Sequence, residues 1–362
     1  MSKQRLTIIG PYPPPVGGIA VHVQRFRSIL EPRFDIRVLD PYGHADRQVP
    51  SCVESLGPPS IRSAMALIRA ARDSRPDLVH VHVAAMKRFA LTGHFLTRAL
   101  GRDVLRVLTI HSGSFAHDYR AGHALGRLAI RRITAAFDGV IAVNEEIAAT
   151  VHGFGVPAGR LAVIPAYLPP PSPPAEAQVA ALRTVAGPGS VVLITSGYGR
   201  REYGFEVLVN ALASDRSLAA RCALVICSYG DRDEGYMAEV EAAGRSLPFV
   251  RQLRDLTPEG FAAVLAAGDM YVRATTLDGD AMAIREAGAF GRQVLASDAV
   301  ARPAGCLLFG TAQAGELADA IRQAIADRSL GKIRDDGRDG AMRILEFYDR
   351  IGVGRRFAGG LS

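Results

Sequence analysis

Residues 275–298 read TTLDGDAMAIREAGAFGRQVLASD. They follow the apolar run 270–273, which predicts a strand. Asp280 is a good N-cap for a helix over 282–290, and Gly291 a good residue just past its end. The run 294–297 predicts the next strand. A strand, a helix and a strand in this order make a parallel unit. The helix start offers free amides and the positive end of its dipole to a phosphate. Asp278 lies in the loop before it and Glu286 about a turn and a half inside. Both carboxylates can accept hydrogen bonds from one ligand lying across that end. The same spacing also suits a turn residue and a buried ion-pair partner.

The same alternation extends both ways. Strands are predicted at 6–9, 36–39, 78–83, 104–110 and 139–143. Helices are predicted from Gly17-Gly18 to about 30, and at 61–72, 87–100, 120–136 and from 145. Residues 165–175, PAYLPPPSPPA, hold six prolines and read as a linker. Beyond it strands are predicted at 191–195, 223–227, 270–273 and 294–297, with helices at 202–212, 258–266 and 282–290. The pattern implies an α/β protein with two doubly wound, Rossmann-like parallel-sheet domains. In such sheets ligands bind beyond the carboxyl ends of the strands, so a cleft between the domains is the expected site.

A chain of 362 residues is long enough for two domains, and 48% hydrophobic with 22% charged residues is ordinary globular composition. The four cysteines show no CxxC, which argues against a disulfide framework or zinc site and fits a reducing compartment. No signal peptide or spanning segment is read, so a cytoplasmic protein is expected. Of 43 Lys+Arg and 36 Asp+Glu, residues 1–165 hold 21 and 12, a balance of +9, leaving 22 against 24, or −2. That asymmetry suits an anionic membrane surface better than nucleic acid, for which no motif is present.

The acidic-x7-acidic spacing of Asp278 and Glu286, with AGAFGRQVLASD after it, resembles family 4 of the retaining glycosyltransferases, which have the GT-B fold. The likeness covers essentially the whole chain. GPYPPPVGGIAVH (10–22) is similar to the family's first loop, with Gly17 and Gly18 as its glycine pair. His111, at the end of the apolar strand in VLRVLTIHSGSF (104–115), matches a histidine that lies near the transferred sugar. His80 and His82 fit an I-H-x-H-like strand, His82 facing the cleft and His80 structural. SGYGRREYGF (196–205) matches a Gly-rich turn containing Gly197, followed by cations that neutralise the departing diphosphate. Arg200 and Arg201 fill that role, but Tyr203 stands where a lysine is expected.

The resemblance implies transfer of a hexose from a nucleotide diphosphate sugar to a glycan or polyprenyl-linked acceptor, with retention, in cell-surface polysaccharide synthesis. Asp278 would position the sugar, Glu286 the ribose, and the Ala281 and Met282 amides the diphosphate. Domains are expected at 1–166, with 346–362 crossing back through the Tyr348 region, and at 167–345. Asp278-Gly279-Asp280 also spells DxD, the metal site of the GT-A fold. The two-domain order and the capping role of Asp280 speak against it, so no metal and no separate cofactor are expected. The alternatives are a GT-B-like sugar-nucleotide epimerase, a catalytically weak or inactive subunit supporting a partner transferase, and a two-domain solute-binding protein.

Overall fold

The computed structural model describes residues 3–43, 48–170, 174–186, 189–278, 281–334 and 336–353. Contacts divide the chain into two compact units, Met1–Leu168 with Asp339–Ser362, and Pro169–Arg338.

In the first unit the strands are β1 (Gln4–Ile9), β2 (Phe34–Asp40), β3 (Val53–Ser55), β4 (Leu78–Val83), β5 (Leu105–Ile110), β6 (Gly139–Ala142) and β7 (Leu161–Val163). They pair in parallel in the order β3-β2-β1-β4-β5-β6-β7. The order reverses between β1 and β4, which is the switch point where such sheets bind ligands. Helices α1 (Gly18–Leu30), α2 (Ile61–Asp73), α3 (Met86–Ala99), α4 (Phe115–Ala121), α5 (Ala124–Ala135) and α6 (Glu145–His152) connect them. All six residues of β4, LVHVHV, are buried, as expected of a strand covered on both faces. The helix predicted at 120–136 is two helices, broken at Gly122. The His123 side chain caps the second by accepting from the Gly126 amide at 3.0 Å.

The second unit holds α7 (Glu176–Ala186), β8 (Val191–Gly199), α8 (Phe205–Ala213), α9 (Arg216–Arg221), β9 (Cys222–Arg232), α10 (Glu234–Gly244), β10 (Val250–Arg254) and α11 (Pro258–Ala267). It continues with β11 (Met270–Arg273), α12 (Met282–Ala289), β12 (Gln293–Ser297), β13 (Leu307–Phe309) and α13 (Ala314–Ala326). The sheet order is β10-β9-β8-β11-β12-β13, again all parallel, with the switch point between β8 and β11. Gly291 does end α12. At φ +70° it closes a Schellman turn, with Gly291 N–H to Gly288 O at 2.8 Å and Arg292 N–H to Ala287 O at 2.9 Å.

The last helix, α14 (Gly340–Arg350), returns to the first unit, where Ile344, Phe347 and Tyr348 join the core of Leu6, Ile8 and Phe26. The chain crosses between the units at 168/169 and 338/339, not at 166/167 and 345/346. The reason is burial, because Ala166, Tyr167 and Leu168 are packed inside the first unit. The proline-rich segment is therefore not a free linker at its start. His22 Nδ1 donates to the Ala166 carbonyl at 2.6 Å, and Arg25 to that of Leu168 at 2.9 Å.

Candidate functional site

At the β8/β11 switch point of the second unit a carboxylate sits between two arginines. Arg273 ends β11 and Asp278 lies in the loop after it. Arg273 donates from Nε to Asp278 at 2.8 Å and from Nη2 at 3.0 Å. Arg302, after β12, donates from Nη1 to Asp278 at 2.8 Å. The Thr275 hydroxyl adds a fourth hydrogen bond at 3.1 Å. The side chains of Arg273, Arg302 and Asp278 are 8%, 2% and 7% exposed.

Charges buried to this degree are tolerated only when paired and hydrogen-bonded. The remaining donors follow that rule. Arg273 Nη1 crosses to the Ser196 carbonyl on β8 at 2.8 Å, and Arg302 reaches the Ser297 carbonyl at 2.9 Å and the Thr275 hydroxyl at 2.9 Å. Burial alone would raise the Asp278 carboxyl. The charge and hydrogen bonds of Arg273, then those of Arg302, reverse this and hold it far below the usual carboxylate range. Two cations and one anion leave a net positive charge where a parallel sheet presents its ligand end.

Reading the sequence missed both arginines. The visible signal was an arginine closing the buried run MYVR and another beside Pro303 in ARPAG. Of the four hydrogen bonds to Asp278, three fall on Oδ2 and one on Oδ1, so most of its acceptor capacity is turned to the protein rather than to a ligand.

The turn after β8 differs from expectation. Residues 202–212 are not one helix. A 3-10 turn, Arg201–Tyr203, is followed by Gly204 at φ +63°, and α8 starts at Phe205. A Cβ on Gly204 would stand 2.1 Å from the Ala274 carbonyl oxygen, so only glycine fits. A Cβ on Gly197 would meet the Tyr203 ring at 1.9 Å. Tyr203 thus occupies the space that Gly197 leaves, with the Arg273 guanidinium 5.1 Å from its ring centroid. Burial pushes the Tyr203 hydroxyl up to about 12, so this side chain supplies no charge at neutral pH.

Arg200 and Arg201 are exposed. Arg200 lies 3.7 Å from Asp231 and over the Tyr198 ring. Arg201 pairs with Glu239 at 2.5 Å and lies over Tyr236. Their cations are held outward by these partners, while Arg273 and Arg302 carry the buried charge.

Ala281 takes the N-cap position of α12 and Met282 is its first residue, with no side-chain cap. Asp280, expected as the cap, lies outside the described residues, as does Gly279. Glu286 is buried at 3% exposure in the second turn of α12, beside the buried Arg285.

The first unit gathers histidines at its own switch point. His22 comes from α1, His82 from β4 and His111 from the residue after β5. His82 Nδ1 and His111 Nε2 are 3.1 Å apart. The His22 ring centroid lies 5.0 Å from that of His82 and 4.9 Å from that of His111. Burial lowers His22 to about 4, and burial with neighbouring imidazoles lowers His82 and His111 as well, so all three are neutral at pH 7. His80 is fully buried and contacts the hydroxyls of Tyr348 at 2.5 Å and Thr109 at 2.6 Å, as a structural residue would. His82, expected to face the cleft, is 4% exposed.

Gly17 precedes α1 with extended backbone at φ −166°, and a Cβ on Gly18 would meet nothing within 4 Å. Neither glycine is demanded by backbone strain. Together they leave the start of α1 without side chains.

Residues 16–166 match the family model for Glycosyltransferase Family 4. No curated protein matches the sequence. Among solved structures, Anabaena HepE in complex with UDP-glucose is similar over 96% of this chain and 98% of its own, at 16% identity and a TM-score of 0.70. Sucrose-phosphate synthase from Thermosynechococcus elongatus is similar over 96% of each chain, at 17% identity and a TM-score of 0.69. UDP-GlcNAc 2-epimerase from Neisseria meningitidis, bound to UDP-GlcNAc, is similar over 96% of this chain and 100% of its own, at 13% identity and a TM-score of 0.64. The fold is GT-B.

Proposed function

We propose that this GT-B glycosyltransferase, with its family 4 domain at residues 16–166, moves a hexose from a nucleotide diphosphate sugar to a hydroxyl of a glycan or lipid-linked acceptor. The observation that carries the reading is the buried Arg273–Asp278–Arg302 cluster at the β8/β11 switch point. Its net positive charge is fixed before ligand arrives, which is what a departing diphosphate needs in a dry site. HepE in complex with UDP-glucose supports a uridine sugar donor as the first to test.

Each remaining part has a role in this reading. The open first turn of α12, at Ala281 and Met282, offers amides to the diphosphate. Glu286 accepts from the ribose. Asp278 orders the arginines and, through them, the loop beneath the sugar. Arg200 and Arg201 draw the donor in from solvent, and Gly197 makes room for the Tyr203 ring at the turn. Within the first unit taken by itself, Gly17 and Gly18 leave an open helix start, and the neutral imidazole of His111 is suited to hydrogen-bond a sugar hydroxyl. Substitution is on one face of the sugar. The bond from the anomeric carbon to the diphosphate oxygen breaks, the acceptor oxygen bonds to that carbon, and the acceptor proton passes to the leaving phosphate. The anomeric configuration is retained.

A lipid-linked acceptor is supported by the surface of the first unit. Ile61 and Met65 on α2, Phe95 on α3, and Leu125 and Leu128 on α5 are exposed, on helices that also carry Arg62, Arg69, Arg127 and Arg131. Helix α3 packs against both α2 and α5, so the three helices adjoin one another. Apolar side chains among arginines suit an anionic lipid surface. Among the described residues no helix is long and apolar enough to cross a membrane.

The test is turnover. The protein is incubated with UDP-glucose and a panel of glycan and polyprenyl-linked acceptors, and products are read by NMR. A new glycosidic bond with the donor's configuration supports the reading. A rearranged sugar nucleotide formed without acceptor supports the epimerase instead. No product with any donor supports an inactive subunit. Flotation with anionic liposomes tests the surface, and no binding at low salt would reject it.

A further inference from the structure

We infer that His22, His82 and His111 form a binding site for a divalent transition-metal cation, with Zn2+ the first to try. Each residue presents one ring nitrogen, and these three atoms lie within 4.8 Å of one another. The 3.1 Å between His82 Nδ1 and His111 Nε2 is close to the separation of two nitrogens on one tetrahedral zinc, roughly 3.4 Å for zinc–nitrogen bonds of about 2.05 Å. A small rotation of His22 brings in the third.

One buried atom points to a missing partner. His22 Nε2 is a buried polar atom with no hydrogen-bond partner among the described residues. Such atoms are rare in folded proteins and call for an unseen ligand or water. The tautomer of His22 is also fixed. Its Nδ1 faces a carbonyl, which only accepts, so Nδ1 carries the proton and Nε2 keeps its lone pair. A histidine that donates through one nitrogen to a backbone carbonyl and ligates through the other is the usual arrangement at metal sites.

Imidazole suits zinc, copper and nickel, whereas magnesium and calcium prefer oxygen. Three protein nitrogens leave a fourth position for water or a ligand oxygen. The sequence-based expectation of no metal came from setting aside the DxD at 278–280; these histidines come from three separate elements and show no ligand spacing. Only the β1/β4 switch point brings them together.

The test uses the full chain, free of any histidine tag and stripped with chelator, and needs neither donor nor acceptor. Co2+ and Zn2+ are titrated in turn, with calorimetry for zinc and visible spectra for cobalt. One equivalent per chain and the intense bands of four-coordinate cobalt are expected. His22→Gln and His111→Asn should each weaken binding by about 100-fold or more, beyond the loss of an outer-shell partner. His152→Ala, at an exposed histidine, should leave it unchanged. Circular dichroism of the two ligand variants separates a lost site from a lost fold. Zinc binding that is equal in wild type and in folded ligand variants, or cobalt spectra that show only six-coordinate surface ions, would overturn the inference.

Discussion

The ring of Tyr203 fills the space above Gly197, where a Cβ would stand 1.9 Å from the ring. The turn that carries Tyr203 is bound to the loop after β11 as well, through Thr276 N–H to Glu202 O at 3.0 Å. The residue at the expected lysine position is thus a packing element of the second unit's ligand end.

Replacing Gly197 with alanine should therefore expel Tyr203 and disturb its stack on Arg273. Overpacking of this kind costs about 1–3 kcal/mol. Urea unfolding of Gly197→Ala should show that loss, and Gly197→Ala/Tyr203→Ala should recover part of it. Equal stability of the single variant and wild type would contradict the packing.

Tyr203→Lys restores the cation that the family resemblance calls for. It also removes an aromatic face from Arg273 and sets a second cation beside it. The lost cation–π contact is worth roughly 0.5–2 kcal/mol, and the new repulsion adds to it. Lower stability and no gain in donor turnover are expected. A rise in turnover would mean that Tyr203 is the reason for weak catalysis.

Asp278→Ala leaves two arginines buried without their anion, which typically costs about 3–5 kcal/mol. Asp278→Ala/Arg302→Met should be less damaging than the sum of its single changes. The pH dependence follows from the depressed carboxyl. Its folded value lies below the unfolded one of about 3.9, so its stabilisation is fully present above that pH. It is lost as pH falls through the folded value. The gap between wild type and Asp278→Asn should stay constant above about pH 5 and narrow below about pH 4. A gap that already narrows at pH 6 would contradict the assignment.

Burial pushes the Cys227 thiol up to about 12, and those of Cys222 and Cys306 up to about 11. At pH 8 all three stay protonated and poorly reactive. Iodoacetamide followed by mass spectrometry should leave them unlabelled in the native protein and label them in denaturant. Labelling of Cys222 or Cys227 in the native state would show that β9, which holds them, opens readily.

Much of the fold is legible in the sequence because buried parallel strands are continuous apolar runs, as in LVHVHV and in MYVR. The breaks were not. Gly122 splits a run of good helix formers, and Gly204 sits in the left-handed region after a turn too short to show a period. The short strands Leu161–Val163 and Leu307–Phe309 are too brief for a pattern. Asp278 and Glu286 stand out in the sequence through their spacing across one loop and the helix after it. Arg273 and Arg302 do not, since what brings them together is strand pairing across β11 and β12. The histidines share that cause, as no local spacing joins α1, β4 and β5.

The central claim is that the β8/β11 switch point, charged by Arg273 and Arg302, holds a nucleotide diphosphate sugar. Thermal shift against UDP-, GDP-, ADP- and CMP-sugars tests it, because a ligand that binds only the folded state raises its stability. Wild type should shift with one donor class, and Glu286→Ala and Arg273→Met, each confirmed folded, should lose that shift. A shift that survives in both variants, or none with any donor, would contradict the account.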